Sequence, residues 1–172
     1  MTERFAGLVS MGNATPFVDR ILDIIEHIRL FEDFERGEVE KLAAYLRCYR
    51  APAGVTLIGE GDGGDFMMIL LRGLCEIVKK DASGVPRRIG LAGPGKTLGE
   101  MSMIDGEPRF SSCITLETTV FAVLDRDDLS RIITESPRLG IKILMELVLM
   151  LSQRLRAASS KVVDSLGAAE EV

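Results

Sequence analysis

The sequence is poor in the residues that build metal centres and disulfide frameworks. It contains one histidine, His27, and three cysteines, Cys48, Cys75 and Cys113, in 172 residues. A metal-dependent β-barrel enzyme needs several histidine and carboxylate ligands that converge on the ion, so we expect no metal site. Three cysteines without a short spacing are typical of reduced thiols. We therefore expect a cytoplasmic protein.

Positive charge and long apolar runs are also scarce. The 21 lysine and arginine residues are outnumbered by 26 acidic residues, which gives a net charge of −5. A surface of this charge does not attract DNA or anionic lipid as a whole. No run approaches the roughly 20 apolar residues of a membrane-spanning helix. Residues 1–14 lack the apolar core of a signal peptide, and we expect them to be a flexible lead.

Arrangements typical of catalysis are missing as well. We find no Ser-His-Asp, Cys-His or paired-carboxylate pattern in the sequence. We therefore expect that the chain is not an enzyme.

The most informative part of what is present is residues 98–112, Leu-Gly-Glu-Met-Ser-Met-Ile-Asp-Gly-Glu-Pro-Arg-Phe-Ser-Ser. Gly99 lets a ligand approach the backbone, and one helical turn at 101–105 would point its N–H groups toward that ligand. Arg109 carries a fork of donors that suits a phosphate. Ionised Glu100 only accepts hydrogen bonds, so it suits a sugar hydroxyl. A phosphate held near a hydroxyl describes a nucleotide.

This segment resembles the phosphate-binding cassette of cyclic nucleotide-binding domains, found in the catabolite activator protein, the regulatory subunits of cAMP-dependent kinase and cyclic nucleotide-gated channels. Gly99, Glu100, Pro108 and Arg109 match its pattern, with the Glu-to-Arg spacing of the kinase domains. The resemblance extends over about residues 28–162 and includes turn glycines of the family fold. These turn positions are Gly54, residues 60–62 and Gly73. We call residues 98–112 the cassette.

The resemblance implies a fold and a ligand. The fold is α+β, an antiparallel β jelly-roll (double-stranded β-helix) flanked by N-terminal helices and a long C-terminal helix. The ligand is cAMP or cGMP, with no other cofactor and no metal. The candidate ligand-binding residues are Gly99, Glu100, Met101, Ser102, Pro108, Arg109, Phe110, Ser111, Ser112, Arg154 and Ser159.

Three of these residues have particular implied roles. Arg154 falls where the family has a second basic residue that supports the phosphate and glutamate end of the site. Ser159 falls where it offers a hydroxyl to the base, and a solvent-facing serine is the alternative. Phe110 departs from the usual Ala, Ser or Thr after the arginine. Its ring has three options, which are to narrow the site, to turn outward or to stack on the ligand.

Hydrophobic patterning predicts the order of the elements along the chain. We expect N-terminal helices within 15–47, a β-roll with the cassette at 48–125, C-terminal helices at 126–166 and a tail at 167–172. A helix starts at Thr15-Pro16 and a second covers 38–46. Short apolar runs bounded by turn residues predict strands at 56–58, 66–71, 74–78, 88–91, 113–116 and 120–124. A short helix follows at 127–134, and a long one runs from Pro137 to about residue 165.

The long helix carries a regular apolar seam, defined by Ile141, Leu144, Val148, Leu151, Leu155, Ala158 and Val162. Steps of three and four residues are typical of two helices that pack together. The family resemblance implies the same, since bacterial members dimerise through this helix. We therefore expect a homodimer, while Ile143, Leu147 and Met150 pack on the barrel. The alternative is a single broad face buried within one chain.

The expected function is a cyclic nucleotide sensor that transmits its signal through the C-terminal helix. One alternative is a degenerate dimerisation or scaffold domain that no longer binds nucleotide, and another is a truncated transcription regulator. Recognition of DNA by a helix-turn-helix needs further helices, so we expect no DNA binding by this chain alone.

Overall fold

The computed structural model describes residues 5–26 and 34–170. Within these residues the chain forms nine strands and five α-helices. The strands are β1 (Val9–Asn13), β2 (Arg47–Ala51), β3 (Thr56–Ile58), β4 (Phe66–Arg72), β5 (Cys75–Lys80), β6 (Pro86–Ala92), β7 (Thr97–Leu98), β8 (Ser112–Thr115) and β9 (Thr119–Asp125). The helices are α1 (Val18–Glu26), α2 (Arg36–Tyr45), α3 (Glu100–Asp105), α4 (Arg126–Glu135) and α5 (Pro137–Glu170).

The strands form two antiparallel sheets that share one core. One sheet has the order β1-β2-β9-β4-β7, and the other has the order β3-β8-β5-β6. The side chains between them form one cluster: Phe5, Ala51, Leu57, Ile58, Phe66, Met68, Leu70, Cys75, Ala92, Cys113, Phe121 and Val123. The expected α+β jelly-roll with flanking helices is confirmed.

The central strands β4 and β9 are buried on both faces, which explains their continuous apolar sequences. Met67 and Leu71 of β4 face away from the second sheet, as do Ala122 and Leu124 of β9. These residues pack against the helices, together with Leu139, Ile143, Leu147 and Met150 of α5. The first sheet therefore separates an inter-sheet core from a sheet-helix core.

Helices α4 and α5 approach each other at backbone distance. A Cβ atom added at Gly140 would lie 2.8 Å from the Cα atom of Ile133, so only glycine fits there. Pro137 is the first residue of α5, where its missing N–H costs no hydrogen bond. The two helices consequently pack as a closely fitted pair.

The N-terminal lead was predicted to be flexible over residues 1–14, and this is wrong for the part that the structure describes. Val9–Asn13 pair with β2 as an edge strand, and Phe5 is buried in the inter-sheet core. The Phe5 ring lies 4.8 Å from the Tyr49 ring and 5.3 Å from the Phe66 ring, centroid to centroid. All five residues of β1 are exposed, so no apolar alternation marked the strand.

The other predicted helices and strands agree with the structure in kind, but α5 extends to Glu170 and so includes residues 167–170 of the predicted tail. Each predicted strand is present, with its ends within about two residues of the prediction. The sequence reading missed β2 and the two-residue β7. At the predicted Thr15-Pro16 helix start, a 3₁₀ turn at Thr15–Phe17 precedes α1. His27 and the other predictions that fall on residues 27–33 lie outside the described residues.

Two further features concern the helices and the cysteines. Among residues 5–26 and 34–170, no helix combines the length and the apolar character needed to cross a membrane. Cys48, Cys75 and Cys113 are all buried with free thiols.

Candidate functional site

The cassette is built around the short helix α3, which two glycines delimit. Gly99 precedes the helix with φ of +84°, and Gly106 ends it with φ of +77°. Residues with a side chain rarely adopt this left-handed region, so glycine sets both ends of the helix. Glu100, the first residue of α3, is thereby turned into the interior, where it is only 2% exposed.

Arg109 is the buried cation of the cassette, with 4% of its surface exposed. Its Nη1 donates to the Gly99 carbonyl at 2.6 Å, and its Nη2 donates to the Phe66 carbonyl at 2.8 Å. The guanidinium also lies 4.3 Å from the centre of the Phe66 ring. These contacts fix the arginine at the start of α3, and its role as a phosphate ligand stays a prediction.

The loop before β4 fixes the backbone of Arg109. Its N–H donates to the Asp62 carbonyl at 2.8 Å, and its carbonyl accepts from the Gly61 N–H at 2.9 Å. A Cβ atom added at Gly64 would lie 2.0 Å from Arg109 Nε. Gly64 therefore provides the space that the guanidinium occupies. The sequence analysis missed Gly64, although the Gly63-Gly64 pair, one residue before an apolar strand, was a visible signal.

Glu100 forms an ion pair with Arg154, which α5 supplies. Arg154 Nη1 donates to Glu100 Oε1, while its Nη2 donates to the Thr97 carbonyl at 2.7 Å. Burial raises the pKa of Glu100, and the charges of Arg154 and Arg109 partly oppose that rise. The predicted pairing of Arg154 with the glutamate end of the site is thus present in the geometry.

The second oxygen of Glu100 differs from the first. Glu100 Oε2 is buried and has no hydrogen-bond partner within the part of the chain that the structure describes. An acceptor buried without a donor is costly, and native proteins rarely leave one in this state. The oxygen is therefore suited to a donor that a ligand brings, such as a hydroxyl group.

Phe110 turns outward. Its side chain is 55% exposed, and Lys79 Nζ lies 4.3 Å from the ring centre. The same ammonium group donates to the Phe110 carbonyl at 2.7 Å and to Glu60 Oε1 at 3.0 Å. Of the three options for the ring, the structure has the outward one.

The remaining candidate residues divide into those inside the cassette fold and those at its surface. Ser102 is buried, and Ser112 Oγ accepts from the Glu60 N–H at 2.9 Å. Ser111 is half-buried, while Met101 and Pro108 are exposed. The structure thus brings together Gly99, Glu100, Arg109 and Arg154.

Ser159 is placed apart from that group. It is exposed on α5, and its hydroxyl donates to the Leu155 carbonyl at 2.9 Å. Its predicted contact with a base stays a prediction.

A cavity of about 740 Å³ lies on the other side of the first sheet, between that sheet and helices α1, α2 and α5. Its walls are mainly apolar, from residues such as Leu42, Met67 and Leu147. Thr97 and Arg154 line it, but Glu100 and Arg109 do not. The cavity is therefore distinct from the cassette and touches it only through the Arg154 contacts.

Known proteins resemble this chain in sequence and in fold. The family model described as the cyclic nucleotide-binding domain matches residues 49–136, about half of the chain. The chain belongs to this family. The crystal structure of a cyclic nucleotide-binding domain from Methylobacillus flagellatus is 39% identical, with a TM-score of 0.85. The match covers 92% of this chain and 89% of that one.

Two curated relatives extend the comparison. A CRP-like cAMP-activated global transcriptional regulator from Mycobacterium tuberculosis is 28% identical over 83% of this chain and 62% of its own length. A cAMP-dependent protein kinase regulatory subunit from Aspergillus fumigatus is 31% identical over 63% of this chain and 26% of its own length. The chain spans less than two thirds of the length of either protein. The resemblance to the family that the sequence analysis gave is confirmed.

Proposed function

We propose that this domain is a sensor that binds cAMP in the cassette and transmits the signal through α5. One observation carries the proposal, namely the buried Glu100 Oε2 that has no donor among the described residues. A ribose hydroxyl supplies such a donor. Arg109, buried at the same amino end of α3, supplies the positive charge for the cyclic phosphate.

The choice of cAMP rests on the relatives. The mycobacterial regulator and the fungal kinase subunit carry cAMP in their names, and cGMP is the competing ligand. The proposed action is regulated binding in the cytoplasm, without catalysis.

We further propose that the domain acts as a homodimer through the seam on α5. Ile141, Val148 and Leu155 are 60%, 60% and 69% exposed in the single chain. Ile143 and Leu147, on another side of the same helix, are buried against the barrel. An apolar stripe that its own chain leaves uncovered supports packing against a second copy.

A second candidate is a scaffold domain whose cassette binds no nucleotide. The ion pair between Arg154 and Glu100 favours it, because that pair already neutralises part of the site. For the domain to act as a sensor, the free energy gained from ligand binding must exceed the free energy lost when the pair between Arg154 and Glu100 breaks.

Isothermal titration calorimetry with cAMP and with cGMP decides between the two candidates. The sensor gives saturable heat with cAMP, and Arg109→Ala weakens binding by about 100-fold or more, because hydrogen bonds to a charged group are lost. The control is Arg87→Ala, an arginine in an exposed ion pair on the β5–β6 hairpin. It should bind cAMP as the wild type does. Absence of heat and of a thermal shift with either nucleotide would remove the sensor proposal.

A further inference from the structure

The carboxyl end of α3 is held by a residue outside the cassette. A helix leaves its last carbonyls without partners in the helix itself. In α3, the Met103 carbonyl accepts from Arg126 Nε at 2.7 Å, and the Ser102 carbonyl accepts from Arg126 Nη2 at 3.1 Å. The Gly106 N–H also donates to Ser102, at 3.0 Å. Arg126 thus closes the end of the helix that lies away from Glu100.

Arg126 is itself anchored at the start of α4. Its backbone N–H donates to the Asp65 carbonyl at 2.8 Å. The preceding residue, Asp125, caps α4 by accepting from the Asp128 N–H at 2.7 Å. The backbone of Arg126 is fixed in this way at the start of α4. Its guanidinium therefore connects α3 to a fixed point of α4.

Two arginines from different elements consequently hold the two ends of α3. Arg109 bonds to Gly99 at the amino end, and Arg126 bonds to Ser102 and Met103 at the carboxyl end. A displacement of α3 along its axis therefore acts on α4 directly.

The contacts continue from α4 into α5 and back to α3. Gly140 at the start of α5 lies against Ile133 of α4 with no room for a side chain. Further along α5, Arg154 bonds to Glu100 at the start of α3. The three helices therefore form a closed ring of contacts, in which α3 meets α5 once directly and once through α4.

We propose that Arg126 is a positioning residue that fastens the cassette helix to the α4–α5 pair, so that ligand binding at α3 reaches α5 through α4. This rests on the proposed function. The direct contact between Arg154 and Glu100 changes when a ribose hydroxyl takes up the carboxylate. The Arg126 contacts use backbone carbonyls, so they persist when the ligand is bound.

The test compares Arg126→Gln and Arg126→Lys with a matched control, Arg131→Gln. Arg131 is an exposed arginine of the same helix, and it pairs with Asp128 and Glu135. Hydrogen–deuterium exchange is measured by mass spectrometry on the full chain, first without nucleotide. Arg126→Gln should raise the exchange rate of peptides over 100–106 by about fivefold or more, since two hydrogen bonds are lost. Arg131→Gln should leave that rate unchanged, and Arg126→Lys should give an intermediate value.

The second arm adds saturating cAMP and separates affinity from response. Arg126→Gln should bind cAMP no more than about tenfold more weakly than wild type, because the ligand contacts at Arg109 and Glu100 remain. The cAMP-induced change of exchange in α4 and in the first turns of α5 should be lost. A residue that only stabilised the fold would alter exchange throughout the chain and would not separate these two readouts.

Unchanged exchange over 100–106 in ligand-free Arg126→Gln overturns the proposal, as does a wild-type response of α4 and α5 to cAMP. If Arg126→Gln does not fold, Arg126→Lys decides in the same two measurements. If wild type binds neither cAMP nor cGMP, the sensor function fails, and the ligand-free arm still decides whether Arg126 fastens α3.

Discussion

Two small residues and one carboxylate define the cassette at the residue scale. Gly64 and Gly99 both border the guanidinium of Arg109, and a Cβ atom at either would lie within 2.4 Å of one of its nitrogens. Glu100 is held in a buried position by the helix that begins with it. The site thus depends as much on where side chains are absent as on the two charged groups.

Gly64→Ala should weaken cAMP binding by about tenfold or more. The added methyl group occupies the position of Arg109 Nε and displaces the guanidinium from its carbonyl partners. Gly63→Ala is the matched control, because nothing lies within 4 Å of its added Cβ. Calorimetric titration of both variants measures the effect. Equal affinities of Gly64→Ala and Gly63→Ala for cAMP would contradict this prediction and would show that displacement of Arg109 does not weaken binding.

Glu100 should give opposite pH dependences to stability and to binding. Because burial raises its pKa, the folded protein takes up a proton more readily than the unfolded chain. The raised pKa of Glu100 therefore adds to the free energy of unfolding at pH values below the ordinary glutamate pKa. This stabilisation is lost as the pH rises through the raised pKa of the folded protein. Affinity for cAMP should instead fall on acidification from about pH 7 to about pH 5, since a protonated carboxyl is a weaker acceptor.

Glu100→Gln should flatten both profiles, measured by chemical denaturation and by calorimetry across this pH range. Glu117→Gln is the control, because Glu117 is an exposed residue of the turn between β8 and β9. Profiles of Glu100→Gln that match those of wild type would mean that another group titrates.

At the scale of the elements, the sequence predicts features that a local pattern encodes. It does not predict contacts between residues that are distant in the chain. The cassette is contiguous, so Gly99, Glu100 and Arg109 were picked out from the sequence as candidates. The buried strands β4 and β9 were found because both faces are apolar. Strand β1 is exposed along its length, and the partners of Gly64 and Arg126 come from distant segments. No local pattern records such contacts.

The segment before β1 should contribute measurably to stability. Phe5→Ala removes a ring that is only 6% exposed and packs on Tyr49, Phe66 and Phe121. We expect the free energy of unfolding to fall by about 3 kcal/mol. Met11→Ala, on the exposed strand β1, should change it by less than about 0.5 kcal/mol. Urea denaturation of the two variants measures the difference. A loss for Phe5→Ala as small as that for Met11→Ala would contradict the packing.

For the whole molecule, the proposed homodimer can be tested by a substitution in the seam of α5. Val148→Glu places a charge in the middle of the seam without touching the core, since Val148 is 60% exposed. We expect it to weaken dimerisation by about 30-fold or more. Leu149→Glu is the control, because Leu149 is also exposed but lies outside the seam.

Light scattering coupled to size-exclusion chromatography gives the mass of each variant. Wild type and Leu149→Glu should elute with twice the mass of one chain, and Val148→Glu with the mass of one chain. If wild type elutes with the mass of one chain, the proposed homodimer is wrong.

The burial of all three cysteines has a practical consequence for following α5. Cys48, Cys75 and Cys113 lie in the core with free thiols, so maleimide reagents in the solvent cannot reach them while the protein is folded. A single cysteine introduced at the exposed Ala157 would then be the only site that such a dye labels. The native chain, treated in parallel, provides the unlabelled background against which motion of the helix is recorded.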